Sequence, residues 1–235
     1  MAAAAPILAL VAAGLALCGV AGAWLGLLSP MAGFQAFAGG ALLGGIASVI
    51  VALVGILLSR GGRDPQGRTK ALLGLAIGLG LILVVLVSAA PGASYPPIND
   101  ITTDLEDPPA FASDTVVPDY AGRDMSYPAE FVAIVREAYP DLRPLHLDVA
   151  PDSAFGRALG AAESLGWEVV ASDPDRGVFD ARDETDLFRF VDDVTVRVRP
   201  DGEGARIDVR SKSRDGRGDL GANAMRIRAF FAALR

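Results

Sequence analysis

The chain has 235 residues, 51% of them hydrophobic, and a formal charge of −7 from 21 Lys and Arg against 28 Asp and Glu. Its charges are segregated: residues 1–90 hold four cations and one anion, leaving 17 cations and 27 anions, a net of −10, in residues 91–235. Such a chain is neither a single soluble globule nor a disordered polymer, because one part is almost purely apolar and the other is acidic and mixed.

Crossing a bilayer core takes about 20 apolar helical residues. Ile7–Leu28, Phe34–Leu58 and Ala71–Ala90 meet that length, and no Asp, Glu, Lys, Arg or His precedes Arg60. Ser29-Pro30-Met31-Ala32-Gly33 is expected to be the turn between the first two spans, since Pro and Gly interrupt a helix. The segment Ser59–Lys70 carries Arg60, Arg63, Arg68 and Lys70, which places it in the cytoplasm. The amino terminus then also lies in the cytoplasm and everything after Ala90 lies outside it. The first span lacks the basic lead of a signal peptide, and Leu17 before Cys18 does not fit a lipid-modification site. Cys18 is therefore expected in helix packing. Arg68, Lys70 and Ser88-Ala89-Ala90 resemble an internal signal sequence, but Pro91 disfavours cleavage there. The pairs Gly22/Gly26, Gly40/Gly44 and Gly74/Gly78 let helix backbones approach closely and are expected to pack the three helices together. With no ionisable residue inside a span, a proton relay or ion path is not indicated.

Residues 91–128 are proline-rich and are expected to run extended as a strap. In it Ile98, Ile101, Leu105 and Phe111 alternate with short acidic and hydroxyl side chains, the pattern of a segment pinned to a surface. A compact region follows, over 129–235. Arg143–Val149 reads as a strand and Pro151 to about Leu165 as a helix stopped by Gly166. Trp167–Ser172 with Gly177–Arg182, and Leu187–Arg199 with Ala205–Arg214, read as two hairpins. A last helix capped by Asp219 carries Leu220, Ile227, Phe230, Phe231 and Leu234 on its apolar side. The expected class is α+β: three transmembrane helices (1–90), an extended strap (91–128), then a small extracytoplasmic domain (129–235) with an antiparallel sheet and helices on one face.

The strap Pro97–Phe111, the run Val191-Asp192-Asp193 and the ending Asp208–Arg214 with Asp219–Arg228 carry a family likeness. Over roughly Tyr95–Arg235 the chain resembles the bacterial family known as domain of unknown function 1499. That resemblance implies a short extracytoplasmic α+β domain, often behind membrane helices, and no established activity.

Chemistry is constrained by inventory. His146 is the only histidine and Cys18 the only cysteine, so the acidic part holds neither a Cys/His zinc site nor a disulfide. No phosphate loop or dinucleotide fingerprint occurs, and no cofactor, metal site or catalytic residue is assigned. Asp173, Asp175 and Gly177 fit a hairpin turn better than a calcium loop. Asp100/Asp104, Asp192/Asp193 and Asp219 are the carboxylates from which a glycosidase-like pair would have to come.

The longer hairpin is more informative. Val194, Val196 and Val198 fall on one face with Ile207 and Val209. Thr195, Arg197, Arg199, Arg206, Asp208, Arg210, Lys212 and Arg214 fall on the other. The basic face is expected either to stay free for an anionic ligand or to be clasped by Asp100, Asp104, Glu106 and Asp107 of the strap. The candidate binding residues are Asn99, Asp100, Asp104, Arg197, Arg199, Arg210, Arg214 and Asn223. The expected role is that of a multi-pass protein of the bacterial inner membrane presenting a noncatalytic periplasmic binding or scaffold domain. Its partners are the lipid bilayer and an envelope protein or anionic envelope ligand, with no nucleic acid. The alternative is a carboxylate-dependent enzyme acting on an envelope polymer.

Overall fold

A computed structural model describes residues 4–60 and 64–235; Arg63, one of the four cations behind the orientation argument, lies outside them. The chain divides into two units, residues 1–93 with 186–189, and residues 94–185 with 190–235.

In the first unit, α1 (Ala4–Trp24), α2 (Pro30–Ala38) and α3 (Gly45–Leu58) precede α4 (Pro65–Ala89). A π-helical turn, Gly39–Gly44, joins α2 to α3, so Pro30–Leu58 runs on as one long apolar rod. Among the described residues, three helices are long and apolar enough to cross a membrane. Pro30 does not end a helix here. It occupies the first turn of α2, where its missing N–H costs nothing, and Ser29 Oγ caps that turn by accepting from Ala32 N at 3.2 Å. The break between the first two spans therefore falls before Ser29, and Gly33 lies inside the helix. Likewise α4 starts at Pro65, capped by Asp64 through Gly67 N at 2.8 Å, which draws Arg68 and Lys70 into its first turns.

Small residues hold these helices together. A Cβ on Gly40 would sit 2.7 Å from the Ala12 carbonyl oxygen, and one on Gly74 would sit 2.6 Å from the Ala5 carbonyl carbon. Close backbone approach of this kind supplies dispersion contact where lipid offers no hydrophobic drive. Ser48, fully buried, directs its hydroxyl at the carbonyls of Ala5 and Gly74 at 3.2 and 3.1 Å, tying α3 to α1 and α4. Gly40/Gly44 and Gly74/Gly78 thus pack within the chain. Gly22 instead meets Leu28, and Gly26 turns the chain with φ +70°. Cys18 is exposed on α1, outside the expected packing, because the Ala and Gly stripe of that helix faces its neighbours instead.

The second unit is an α+β domain. Its strands are β1 (Asp100–Thr102), β2 (Leu145–Leu147), β3 (Glu168–Asp173), β4 (Val178–Glu184), β5 (Val191–Asp201) and β6 (Gly204–Ser213). They form a wholly antiparallel sheet in the order β1-β6-β5-β4-β3 among the described residues. The outer edge of β6 is shared by two short strands: β1 pairs with Arg210–Lys212 and β2 with Ala205–Ile207. The strap thus supplies a strand, and both long edge positions of β6 are satisfied. Helices α5 (Phe131–Ala138), α6 (Pro151–Ser164) and α7 (Ala222–Leu234) complete the domain.

The valine face of β5 meets α6 and α7. Ile227, Phe230 and Leu234 are at most 1% exposed and share one core with Val194, Val196, Val198, Ile207 and Val209. Trp167 stacks on Phe230 with ring centroids 5.0 Å apart. Ile98 and Ile101 of the strap belong to the same core, as do Val135 and Tyr139 from α5 and the turn after it. Leu220, expected on the apolar side of the last helix, is exposed. It lies before α7 with φ +54°, in the turn that Gly221 completes at φ +86°.

Candidate functional site

Period-two alternation sends every second residue of β4, β5 and β6 to the face opposite the helices. Antiparallel register then lines Asp180 with Thr195 and Arg210, and Arg197 with Asp208. Asp100 lies beside Lys212 and Thr102 beside Arg210. This face is charged but not exposed: Thr195 and Asp208 are fully buried, and Asp180, Asp193 and Arg210 nearly so. What covers it is the strap, residues 103–127, which has almost no regular structure.

The deepest pair is Asp100 with Arg210. Arg210 donates from Nε to Oδ1 at 2.9 Å and from Nη2 to Oδ2 at 2.7 Å, with both side chains at least 98% buried. Its remaining donors reach the carbonyls of Pro109 and Ser126, at 3.3 and 2.9 Å. The rings of Phe111 and Tyr127 lie 4.8 and 5.2 Å from the guanidinium carbon. Lys212 Nζ adds a third donor to Asp100 at 3.0 Å. A guanidinium whose fork is matched and whose faces meet aromatic rings is the kind that tolerates burial. Burial raises the Tyr127 phenol, and the Asp100 charge adds to the shift while Arg210 opposes it.

A second knot balances three arginines with three aspartates. Asp104 Oδ2 accepts from Arg197, Arg199 and Arg206 at 3.2, 3.0 and 2.7 Å. Asp208 receives the same three at 3.4 Å or less, and Asp107 receives Arg197 and Arg199 at 3.0 and 3.2 Å. Burial pushes the Asp104 carboxyl up. Backbone N–H groups of Asp107 and Glu106, with Arg206 and Arg197, outweigh it and hold the carboxyl below its usual value. Glu106 contributes its backbone here and no ion pair among the described residues.

Arg214 is elsewhere. It grips Asp193 at 2.8 and 2.9 Å and reaches Asp119 of the strap at 3.4 Å. Asp180 lies near this end of the face, accepting from Ala112 N at 2.8 Å through Oδ2, while its Oδ1 and the Tyr120 hydroxyl are buried without a hydrogen-bond partner. Burial pushes the Asp180 carboxyl up, only partly offset by Ala112, Thr195 and Tyr120, and Asp193 adds to the rise. Burial likewise raises the Tyr120 phenol, reinforced by Asp180 and Asp193.

Asn99 and Asn223 form a fourth place, at the end of the helix-covered face. Asn223 accepts from Ser211 Oγ at 2.6 Å and donates to the Asn99 carbonyl at 3.2 Å. The N-cap of α7 is Gly221 and not Asp219, which from two residues earlier accepts the N–H groups of Gly221 and Asn223 at 2.8 and 2.9 Å. Arg226 completes this node with Asp192 at 2.6 Å and Asp183 at 2.7 Å.

The eight candidate residues therefore lie in four places and not one. Asp100 with Arg210, and Asp104 with Arg197 and Arg199, are brought together; Arg214 and the two asparagines are separate. The adjacent Asp192 and Asp193 point to opposite faces, each held by its own arginine. Sequence reasoning missed Arg226, Asp180 and Asp119. Only Asp180 carried a local signal, its place on the polar side of β4. It also missed a groove of about 610 Å3 beside Asp104, to which α5, the 139–146 segment, the strap and β6 all contribute.

A family model described as "Protein of unknown function (DUF1499)" matches residues 100–234, from β1 to the end of α7. No curated protein matches the chain.

Proposed function

The chain belongs to the DUF1499 family, and on that premise we propose that it anchors a noncatalytic binding or scaffold domain on the outer side of a bacterial inner membrane. In this reading the amino terminus and the Arg60–Lys70 segment are cytoplasmic and the domain is periplasmic. Its partners are an envelope protein or an anionic envelope ligand.

The observation that carries the reading is the state of the carboxylates. Asp100, Asp104, Asp192, Asp193 and Asp208 are each gripped by arginine at 3.2 Å or closer. A general acid needs a carboxyl that can give up and regain a proton near the working pH, and a nucleophile needs an open side. Carboxylates clamped in this way serve architecture: they fasten the strap and make the domain a rigid platform. The positive charge of the cytoplasmic segment supports the orientation.

Two measurements test the proposal. An alkaline phosphatase fusion after Arg235 is expected to be active, and a cysteine at Gly62 to resist an impermeant thiol reagent in intact cells. Crosslinking in intact membranes, read by mass spectrometry, is expected to capture an envelope protein on the domain. Labelling at Gly62 would reverse the orientation.

A further inference from the structure

We propose that the groove beside Asp104 is an anion site that takes a phosphate-bearing ligand with an apolar body. The inference rests on the binding reading above and supplies its ligand class.

The arginines of the covered face are committed to aspartates, but two of the three that line the groove are not. Arg136, on the exposed side of α5, and Arg143, in the segment that follows, make no ion pair among the described residues. Arg143 is held by its Nε, which donates to the Pro140 carbonyl at 3.1 Å, and this leaves its terminal nitrogens unspent. Arg206 enters from β6, in register with His146 on β2. Its Nε goes to Asp208 and its Nη2 to Asp104, so Nη1 has no partner among the described residues. His146 in turn lies 2.5 Å from Asp201.

Two carboxylates share the lining. Asp104 is already met by three guanidinium groups and presents little unbalanced charge. With Arg206 already balanced by Asp104 and Asp208, Glu106 remains as one anion against Arg136 and Arg143, in a chain whose residues after Ala90 carry −10. Positive side chains lining a groove of an acidic domain need a reason, and forked donors brought to one groove by three segments suit the tetrahedral oxygens of phosphate. The volume falls within the range of small-molecule sites, and Leu105 and Leu142 give it apolar wall. A lone inorganic ion would leave those walls uncovered. The phosphate source is therefore either a soluble phosphorylated compound or a lipid headgroup.

The test uses the full chain in maltoside detergent with two probes, inorganic pyrophosphate followed by calorimetry and phosphatidic acid followed by native mass spectrometry. Saturable binding of either probe is expected. Pyrophosphate alone identifies a soluble source, and phosphatidic acid alone a headgroup. R136Q/R143Q should weaken binding at least tenfold with an unchanged near-ultraviolet circular dichroism spectrum, since neither side chain makes an ion pair in the fold and Arg143 bonds only the exposed Pro140 carbonyl. R176Q/R217Q removes the same charge elsewhere and should leave affinity within twofold. Absence of saturable binding of both probes, or equal losses in the two double variants, would overturn the site. Phosphorus NMR separates the two proposals. Bound pyrophosphate recovered intact supports both, whereas hydrolysis abolished by R136Q/R143Q keeps the site and overturns the noncatalytic reading.

Discussion

One sheet is closed twice, by opposite means. On the helix side Val194, Val196, Val198, Ile207 and Val209 meet Phe230 and Ile227, and the seal is apolar area. On the other side the intervening residues of the same strands meet an irregular segment, and the seal is a set of matched charges. Apolar contact is non-directional and tolerates exchange of one hydrocarbon for another. A buried ion pair has no such tolerance: removing one partner strands the other without water. The two faces should therefore fail differently.

The largest expected effects come from one substitution on each face. R210A should cost about 3–5 kcal/mol by leaving Asp100 buried without its two-pronged partner and with Lys212 alone to balance it, as read by denaturant unfolding of the full chain. F230A should cost a similar amount, about 3–5 kcal/mol, by opening a cavity beside Trp167. The distinction lies in rescue. D100N added to R210A should recover part of the loss, because the stranded charge is gone, whereas no single polar change should rescue F230A.

A smaller effect is expected from pH, and its sign belongs to the charged face alone. The Asp180 carboxyl is raised above its ordinary 3.8 by burial, so the folded state holds that proton more tightly than the unfolded chain. Its contribution to stability is complete below pH 3.8 and is lost as pH climbs through the raised value. Asp104 has the opposite sign: its carboxyl is lowered, so its contribution is present above 3.8 and disappears in stronger acid. D180N should therefore remove a decline in melting temperature that the wild type shows as pH rises above 3.8. A parallel pH profile in the two proteins would contradict the assignment. The smallest effect is expected at the rim. Arg228 and Asp141 form a paired but half-exposed bridge at 2.7 Å, and R228Q should change stability by about 0–1 kcal/mol.

The apolar face was legible because its signal is local. Alternation in β5 and β6 and the spacing of Ile227, Phe230 and Leu234 name the core without reference to distant residues. The acid-rich text of Asp100–Asp107 and the arginines of β5 and β6 were legible as complements, which gave the clasp. Its depth was not, since burial of Arg210 depends on Asp100, Phe111, Ser126 and Tyr127, from 110 down to 83 positions away in sequence. Strand β1 escaped notice because three residues carry too little periodicity. Helix α5 went unread although Phe131, Ile134, Val135 and Ala138 stand at helical spacing, because the reading of the compact region began only at Arg143. The groove was illegible because Arg136, Arg143 and Arg206 come to line one groove only through tertiary structure.

Whether the strap is a structural half of the domain is tested most directly by amide hydrogen exchange in the full chain. Thr103 N–H donates to the Val209 carbonyl at 2.9 Å and Ala112 N–H to Asp180 at 2.8 Å. The expected result is that both amides exchange as slowly as those at the centre of β5 and β6, opening only with global unfolding. Exchange at Thr103 and Ala112 orders of magnitude faster than in those strands would contradict it, and would make the strap a loose cover over a sheet that folds without it.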